Sequence, residues 1–425
     1  MMSNTPPPSG RQNLLQIIGP GLLVAATGVG AADLAGGALA GQKLGVAILW
    51  VVVLGAALKF VLCEGLARWQ LVSGSTLPEG AATLYGRWYR PVFLIYLAVW
   101  SFCICGMLMS ACGATAHAIL PIQSPAIGKI IHGIVHSLVA VVLVRIGGFR
   151  LFERMMAVCI GVMFVTVVCS SMFCIESVSD AVRGLTIPTV PDWQGKGVEW
   201  SVTLLAGVGG TVTMLCYGYW IREKGRLDTS AMTDCRIDLA TGYLMTAVFG
   251  GAMVILGAGL TSAERPSGNI NLIMNLANHI SATIGGESGT AAGWLFRLGA
   301  WGAVFSSLLG VWQSIPLLIL DVASRNYGSS EAASIDYRKS RTASLILAAI
   351  ATVPVVTLFY PLATVQLVAG LAGAVFLPAF ALTLLALSWK RMSGFRNGIL
   401  STIVLWLSVA LFAYFLLLKV QNSFA

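Results

Sequence analysis

Two short clusters rich in glycine and threonine interrupt apolar stretches of the chain. The first lies between Gly19 and Asp33, and the second lies between Gly207 and Thr213. A glycine in a helix interior costs roughly 1 kcal/mol relative to alanine, so two such clusters predict breaks in two helices. Unwound backbone exposes amide N–H groups, and the amides that begin the next helical segment attract anions. The clusters therefore predict a binding site for a small anion or zwitterion.

We expect ten residues of these clusters to contact the substrate. Their side chains are small or carry a hydroxyl group, so backbone amides and hydroxyls would be the main binding groups. The candidate substrate-binding residues are Ala26, Thr27, Gly28, Val29, Gly30, Ala31, Gly209, Gly210, Thr211 and Thr213. Close packing of membrane helices through small residues is the alternative explanation.

Ionisable and polar residues inside apolar stretches form a second group of candidates. A charge at the bilayer centre costs roughly 2.5–3.5 kcal/mol on insertion scales, so such residues suggest function. We expect Asp33 to cap the helical segment after the first break. Lys59 is a candidate for proton coupling or anion attraction, with snorkelling or a structural ion pair as the alternatives. The coupling or gating candidates are Asp33, Lys59, Glu64, His117, Tyr217 and Gln313.

Several of these polar residues have simpler interpretations. Glu64 precedes Arg68 by four residues, which allows an ion pair on one helix face. His132 and His136 share a helix face, but they could bind a metal ion only with a third ligand nearby. Tyr217 could close over the substrate or anchor the helix at the membrane interface. Gln366, like Gln313, needs a polar partner in the membrane. We predict no metal site and no cofactor.

The composition indicates the class of protein that positions these residues. Of the 425 residues, 57% are hydrophobic and 10% are charged, and the mean hydropathy is +0.84. Soluble domains carry roughly 25% charged residues, so this composition excludes a soluble enzyme. The apolar content also excludes intrinsic disorder. Long apolar runs predict an all-α polytopic membrane protein, and no nucleophile–base pair or cofactor loop indicates an enzyme.

Eleven apolar segments are long enough to cross the hydrocarbon core, which takes about 20 residues of helix. These predicted spans 1 to 11 cover residues 14–41, 45–70, 92–119, 127–146, 152–173, 200–221, 239–260, 294–320, 343–360, 362–388 and 398–418. Lysine and arginine concentrate in cytoplasmic loops. With the N-terminus in the cytoplasm, 18 of the 26 lysines and arginines fall on that side. The topology therefore explains the excess of basic residues, and we expect the protein in the inner (plasma) membrane with an extracytoplasmic C-terminus. We expect no nucleic-acid partner.

The two predicted breaks fall in spans 1 and 6, which are five spans apart. Matched interruptions in two halves indicate an inverted-repeat transporter whose substrate binds near the bilayer midplane. The predicted domains are a cytoplasmic tail over 1–12, a first five-helix repeat over 13–173, an extracytoplasmic loop over 174–199, a second five-helix repeat over 200–390, and an eleventh helix with the C-terminal tail over 391–425. A stretch at 271–281 in another loop is amphipathic.

Five stretches spread over most of the chain carry a family pattern: residues 19–37, 66–74, 147–154 and 184–188, and the pair Ser306-Ser307. Together they resemble the Nramp family of metal-ion transporters. The resemblance implies a LeuT-like fold, in which two inverted five-helix repeats move a substrate by alternating access.

The metal-binding motifs of that family are replaced in this chain. The resemblance places the family's Asp-Pro-Gly-Asn motif of helix 1 on Ala26, Thr27, Gly28 and Val29. It places the Met-Pro-His motif of helix 6 on Thr213, Met214 and Leu215, and a shift by one residue would restore only the methionine. Two unit charges 4 Å apart interact by about 4 kcal/mol at an effective dielectric constant of 20. Loss of the carboxylate therefore counts against a doubly charged cargo.

The sequence predicts a secondary active transporter that takes up a small inorganic or carboxylate anion, such as bicarbonate. H⁺ or Na⁺ is the expected coupling ion, and the lipid bilayer is the expected surrounding. A divalent-metal transporter for manganese, iron or magnesium with an altered site stays open as an alternative. A channel or a non-transporting receptor is the second alternative. The sequence leaves the oligomeric state open, a monomer included.

Overall fold

The computed structural model describes residues 21, 29–146, 149–260, 272–323, 340–390 and 396–424, and this part of the chain is helical with no strand. The helices are α1 (Val29–Gly36 and Gly37–Leu44), α2 (Leu49–Ser73), α3 (Leu77–Tyr85), α4 (Tyr89–Ile119), α5 (Pro125–Ile146), α6 (Phe149–Phe173), α7 (Val178–Thr186), α8 (Gly197–Gly207), α9 (Tyr217–Glu223), α10 (Met232–Ala258), α11 (Leu272–Ile284), α12 (Gly286–Ala323), α13 (Arg341–Thr352), α14 (Leu362–Lys390) and α15 (Ile399–Phe424). Short 3₁₀ turns join several of them.

The predicted spans agree with these helices. Each of spans 2 to 11 overlaps at least one helix, and the amphipathic stretch at 271–281 lies largely in α11. Within the described residues, eight helical stretches are long and apolar enough to cross a membrane, or nine when Gly161–Phe173 and Val178–Thr186 count as one bent span. The chain is a multi-pass membrane protein. The predicted tail over 1–12 lies outside the described residues.

Glycines let α1 and α10 approach each other closely. A Cβ atom on Gly41 would lie 2.1 Å from the carbonyl oxygen of Val254. A Cβ atom on Gly257 would lie 2.1 Å from the carbonyl oxygen of Ala38. Any side chain at either position would force the backbones apart. α1 also packs against α12, and α2 packs against α10, so these helices surround the centre of the molecule.

Span 6 is interrupted at its centre. α8 ends at Gly207, residues 208–211 leave the helix, and a 3₁₀ turn over Val212–Cys216 leads into α9. Gly209 and Gly210 have φ angles of +71° and +86°, in the left-handed region that favours glycine. The predicted break in this span is confirmed.

The described part of span 1 begins with a π-helix. This π-helix covers Val29–Gly36 and continues as the α-helix Gly37–Leu44. π-helical turns are rare and occur frequently at functional sites. Candidates Ala26, Thr27 and Gly28 lie outside the described residues, so the break expected there stays a prediction.

Candidate substrate site

A small cavity lies beside the break in span 6. Its volume is about 30 Å³, about twice what one buried water molecule needs. Of the ten candidate substrate-binding residues, Gly210, Thr211 and Thr213 line the cavity. The rest of the wall comes from α1, α4, α8, α12 and α14 and is mostly small or apolar. A cavity of this size suits a cargo of a few atoms.

The polar groups of the lining are hydroxyl, indole and amide groups. Trp100 on α4 donates a hydrogen bond from its Nε1 to Oγ1 of Thr211 over 3.1 Å. Gln366 on α14 is 1% exposed, and its Oε1 has no hydrogen-bond partner in the described part of the chain. A buried acceptor without a partner is costly, so a group that donates a hydrogen bond, such as water or the hydroxyl of bicarbonate, would stabilise it.

Two charged residues bind the broken backbone beside the cavity. Lys59 on α2 is buried, and its Nζ donates to the carbonyl oxygens of Ala206 and Val208. Asp33 on α1 is fully buried, and its Oδ2 accepts from the amide of Gly209 over 3.2 Å. The opposite charges of Asp33 and Lys59 also attract each other. The pair therefore ties α1 and α2 to the break.

The position of the Lys59 ammonium follows from helix electrostatics. The last carbonyl groups of α8 have no partners within that helix, and they form the negative end of its dipole. A positive charge is stabilised there. The expectation for Asp33 was different and wrong: its carboxylate binds the amide of Gly209 in span 6 instead of capping its own helical segment. The reason is that this amide, freed by the break, faces α1.

Glu64 lies away from the cavity lining. Its carboxylate forms ion pairs with Arg68 at 3.0 Å and with Arg236 at 2.9 Å. The predicted pair with Arg68 is confirmed, and Arg236 is a second partner from α10. This double ion pair explains the buried position of Glu64 without a coupling role.

Tyr217 and Gln313 also contact other residues. The hydroxyl of Tyr217 donates to Oδ2 of Asp238 over 3.1 Å. The indole Nε1 of Trp220 donates to Oε1 of Gln313 over 3.5 Å. Neither residue belongs to the cavity lining, so the idea that Tyr217 closes over the substrate does not fit this structure.

Three of the four histidines, His117, His132 and His136, lie between α4, α5 and α12. Nδ1 of His117 accepts from the amide of Ile122 over 3.3 Å, and Nε2 of His136 accepts from the indole of Trp301 over 2.9 Å. His132 hydrogen-bonds the carbonyl oxygen of a loop residue. Among the described residues, no group of three His, Cys, Asp or Glu side chains is placed to hold a metal ion.

A second polar region joins the helix ends near Arg68, Arg226 and Arg236, and we call it the basic end. Oδ2 of Asp238 accepts from the amide of Gly21 at 2.8 Å, from the hydroxyl of Tyr217 at 3.1 Å and from Nη1 of Arg226 at 3.0 Å. One carboxylate on α10 thus links span 1, span 6 and the loop that carries Arg226.

Asp321 on α12 also joins separate elements at the basic end. Its Oδ2 accepts from the hydroxyls of Thr76 at 2.9 Å and Tyr219 at 2.7 Å. Arg222 donates to the carbonyl oxygen of Gly74 over 2.7 Å. These bonds join spans 6 and 8 to the loop between α2 and α3. Asp238 and Asp321 are not among the candidates that the sequence predicts.

A family model described as natural resistance-associated macrophage protein-like (Nramp) matches residues 21–421. The chain belongs to the Nramp family. Nramp proteins are transporters. An uncharacterised protein of Pasteurella multocida, PM0681, is 23% identical over 282 residues. That match spans 63% of this chain and only 62% of the length of that relative.

Solved structures show the same fold. A manganese transporter of Eremococcus coleocola, in complex with an aromatic bis-isothiourea substituted compound, has a TM-score of 0.71 at 17% identity, covering 97% of this Nramp chain and 88% of that one. MhsT in complex with L-phenylalanine has a TM-score of 0.64 at 14% identity, covering 96% and 98%. Mhp1, a nucleobase-cation-symport-1 family transporter, has a TM-score of 0.57 at 14% identity, covering 94% and 92%. The expected all-α, LeuT-like fold is therefore confirmed.

Proposed function

We propose that this Nramp protein is a secondary active transporter for a small anion, bicarbonate or a short carboxylate. The cargo would bind in the cavity at the break in span 6 and cross by alternating access, with H⁺ or Na⁺ as the coupling ion. In this proposal the N-terminus lies in the cytoplasm and the basic end of the molecule faces it, as the distribution of lysine and arginine predicts.

The observation that carries the proposal is the chemistry of the cavity wall. Its polar groups come from Trp100, Thr211, Thr213 and Gln366, and none of its side chains is a carboxylate, an imidazole or a thiol. Hard cations prefer oxygen ligands that include carboxylates, and softer cations prefer imidazole or sulfur. Hydroxyl and amide groups can donate hydrogen bonds to an anion, whereas the indole of Trp100 already donates to Thr211.

The occupied carbonyl groups support the same conclusion. The oxygens of Ala206 and Val208 would be natural cation ligands, but the Lys59 ammonium already binds them. The charges of Asp33 and Lys59 cancel, so this pair offers no net negative charge to a divalent ion. The free energy that a divalent ion loses on leaving water would then not be recovered in this buried site.

A divalent metal ion is the second candidate cargo. The family match and the similarity to a manganese transporter favour it. Met107 also contributes to the cavity wall, and a thioether is a ligand for soft metal ions. If a metal is carried, substitution of Ala26 or Thr213 should change the metal affinity.

Transport into proteoliposomes tests the two cargoes directly. We expect saturable uptake of labelled bicarbonate or formate that exceeds the leak into protein-free liposomes, and no saturable uptake of labelled manganese. Counterflow exchange with internal unlabelled anion distinguishes a carrier from a channel. Saturable manganese uptake without anion uptake would contradict the proposal.

A matched pair of variants locates the site. Thr213→Val removes one hydroxyl from the cavity wall at nearly constant volume, and we expect a several-fold higher KM for the anion. Thr115→Val removes a buried hydroxyl that donates to the carbonyl oxygen of Cys112 within α4. It should leave KM unchanged, because Thr115 does not line the cavity. Equal effects of the two variants would count against this site.

A further inference from the structure

The Lys59 ammonium lies where a free cation would bind a broken helix. It donates to two backbone carbonyl oxygens at the end of α8, those of Ala206 and Val208, and the side chain is only 1% exposed. Carbonyl oxygens at such a position can replace the hydration shell of a monovalent ion. Here a covalently attached ammonium group satisfies them.

The charged and titratable groups around Lys59 come from three helices. The Asp33 carboxylate on α1 attracts the ammonium, and Cys63 lies one turn further along α2. The Cys63 sulfur is 3.0 Å from the hydroxyl of Tyr243 on α10. Asp33 supplies the negative charge that balances the cation. Two carbonyl groups and one carboxylate would together suit a monovalent cation if the lysine were removed.

We propose that Lys59 is a built-in cation, whose ammonium group takes the place of a bound monovalent ion such as sodium at the end of α8. Span 6 then keeps its broken geometry, and transport proceeds, without sodium. The inference depends on the chain being a transporter and not on whether its cargo is an anion or a metal ion. If transport does not need sodium, H⁺ is the remaining one of the two coupling ions proposed above.

A purely structural role for Lys59 makes a different prediction. If the lysine only joins α2 to α8, its loss cannot be repaired by a soluble cation. If it occupies a cation position, its truncation opens a site that a soluble cation can fill. Lys129 is the matched control: it is 2% exposed in α5, and its Nζ donates to one carbonyl oxygen, that of Tyr360, over 2.7 Å.

The experiment measures thermal stability in detergent and uptake in proteoliposomes, with chloride salts of sodium, choline or propylammonium. Lys59→Ala removes three methylene groups and the ammonium, which propylammonium replaces. Removal of one partner from a buried ion pair is strongly destabilising, so we expect a lower melting temperature and a loss of uptake of about tenfold or more in choline. Propylammonium should restore both, and sodium should restore them partly.

Lys59→Met and Lys129→Ala complete the test. Methionine fills the space without a charge, so Lys59→Met should lose uptake in all three salts. Lys129→Ala should respond equally to the three salts, because a single carbonyl group without a carboxylate is a poor cation site. The unsubstituted protein should have the same stability and uptake in sodium and in choline.

Three results would overturn the inference. They are a dependence of the unsubstituted protein on sodium, wild-type uptake by Lys59→Met, or a folded Lys59→Ala protein that neither propylammonium nor sodium restores. If Lys59→Ala does not fold, the other two comparisons decide. The thermal measurement needs no cargo, so it gives an answer even if both bicarbonate and manganese prove to be the wrong substrate.

Discussion

Buried charges have different partners at the centre of the molecule and at its basic end. At the centre, Lys59 and Asp33 bind carbonyl and amide groups of one broken span. At the basic end, Asp238 binds groups from two spans and from the loop that carries Arg226, and Asp321 joins α12 to Tyr219 and Thr76. Lys59 and Asp33 do not line the cavity, so its wall has no charged side chain. The charged side chains at the basic end instead connect helices to one another.

This difference in partners indicates which contacts can persist during transport. Contacts to the unwound backbone shape the site, and they are needed in every state that holds the cargo. Contacts between the ends of different spans hold the basic end together in this structure, and alternating access requires that such contacts separate. Substitutions at the centre should therefore abolish binding, and substitutions at the basic end should shift the balance between states.

Gly209→Ala should have the largest effect. Alanine at a φ of +71° is strained by about 1–3 kcal/mol, and its Cβ would lie 2.8 Å from Cε1 of Tyr243. We expect uptake to be lost because the break and its neighbours must shift. The control is Gly225→Ala, which has a φ of +72° and no atom within 4 Å of the new Cβ. Its uptake should stay near normal, and equal loss in both variants would contradict the account.

Asp238→Asn should have an intermediate effect. It removes the charge that pairs with Arg226 while keeping the size, and breaking a buried pair costs about 3–5 kcal/mol. The experiment uses a variant in which all cysteines except Cys63 and Cys235 are replaced. The basic end should open more often, so buried Cys235 should be alkylated faster. Cys63, at the centre, should stay protected. Faster alkylation of both cysteines would indicate general unfolding and not a shift between states.

Glu64→Gln should have the smallest effect on transport. Glu64 pairs with Arg68 and Arg236 and does not line the cavity, so we expect a lower melting temperature with nearly unchanged KM. The pH dependence of uptake should also be unchanged. If that pH dependence disappears, Glu64 couples transport to protons, and the division between the two regions is wrong.

The break in span 6 was predictable because its cause is local. Two adjacent glycines in an apolar helix indicate where the chain can leave the helix, and Gly209 and Gly210 do so with positive φ angles. The sequence also identified Lys59 as unusual, because a charge inside an apolar run is costly. Its partners were not predictable, since the carbonyl groups it binds lie about 150 residues away and are free only because α8 ends there.

The cavity wall and the basic end depend on packing between distant helices. Trp100 and Met107 look like ordinary residues of an apolar helix until α4 packs beside the break. Gln366 was recognised only as a polar residue that needs a partner. Asp238 precedes the predicted start of span 7, and nothing in its sequence neighbourhood indicates contacts to Gly21 or Tyr217.

Calorimetric titration of the purified protein tests the central claim most directly. The claim is that hydroxyl and amide donors at the break, without a charged ligand set, select a small anion over a divalent ion. Titration with bicarbonate and with formate should release or absorb saturable heat that Thr213→Val weakens, and titration with manganese chloride should give only the heat of dilution. Saturable manganese binding that bicarbonate does not affect would contradict the claim.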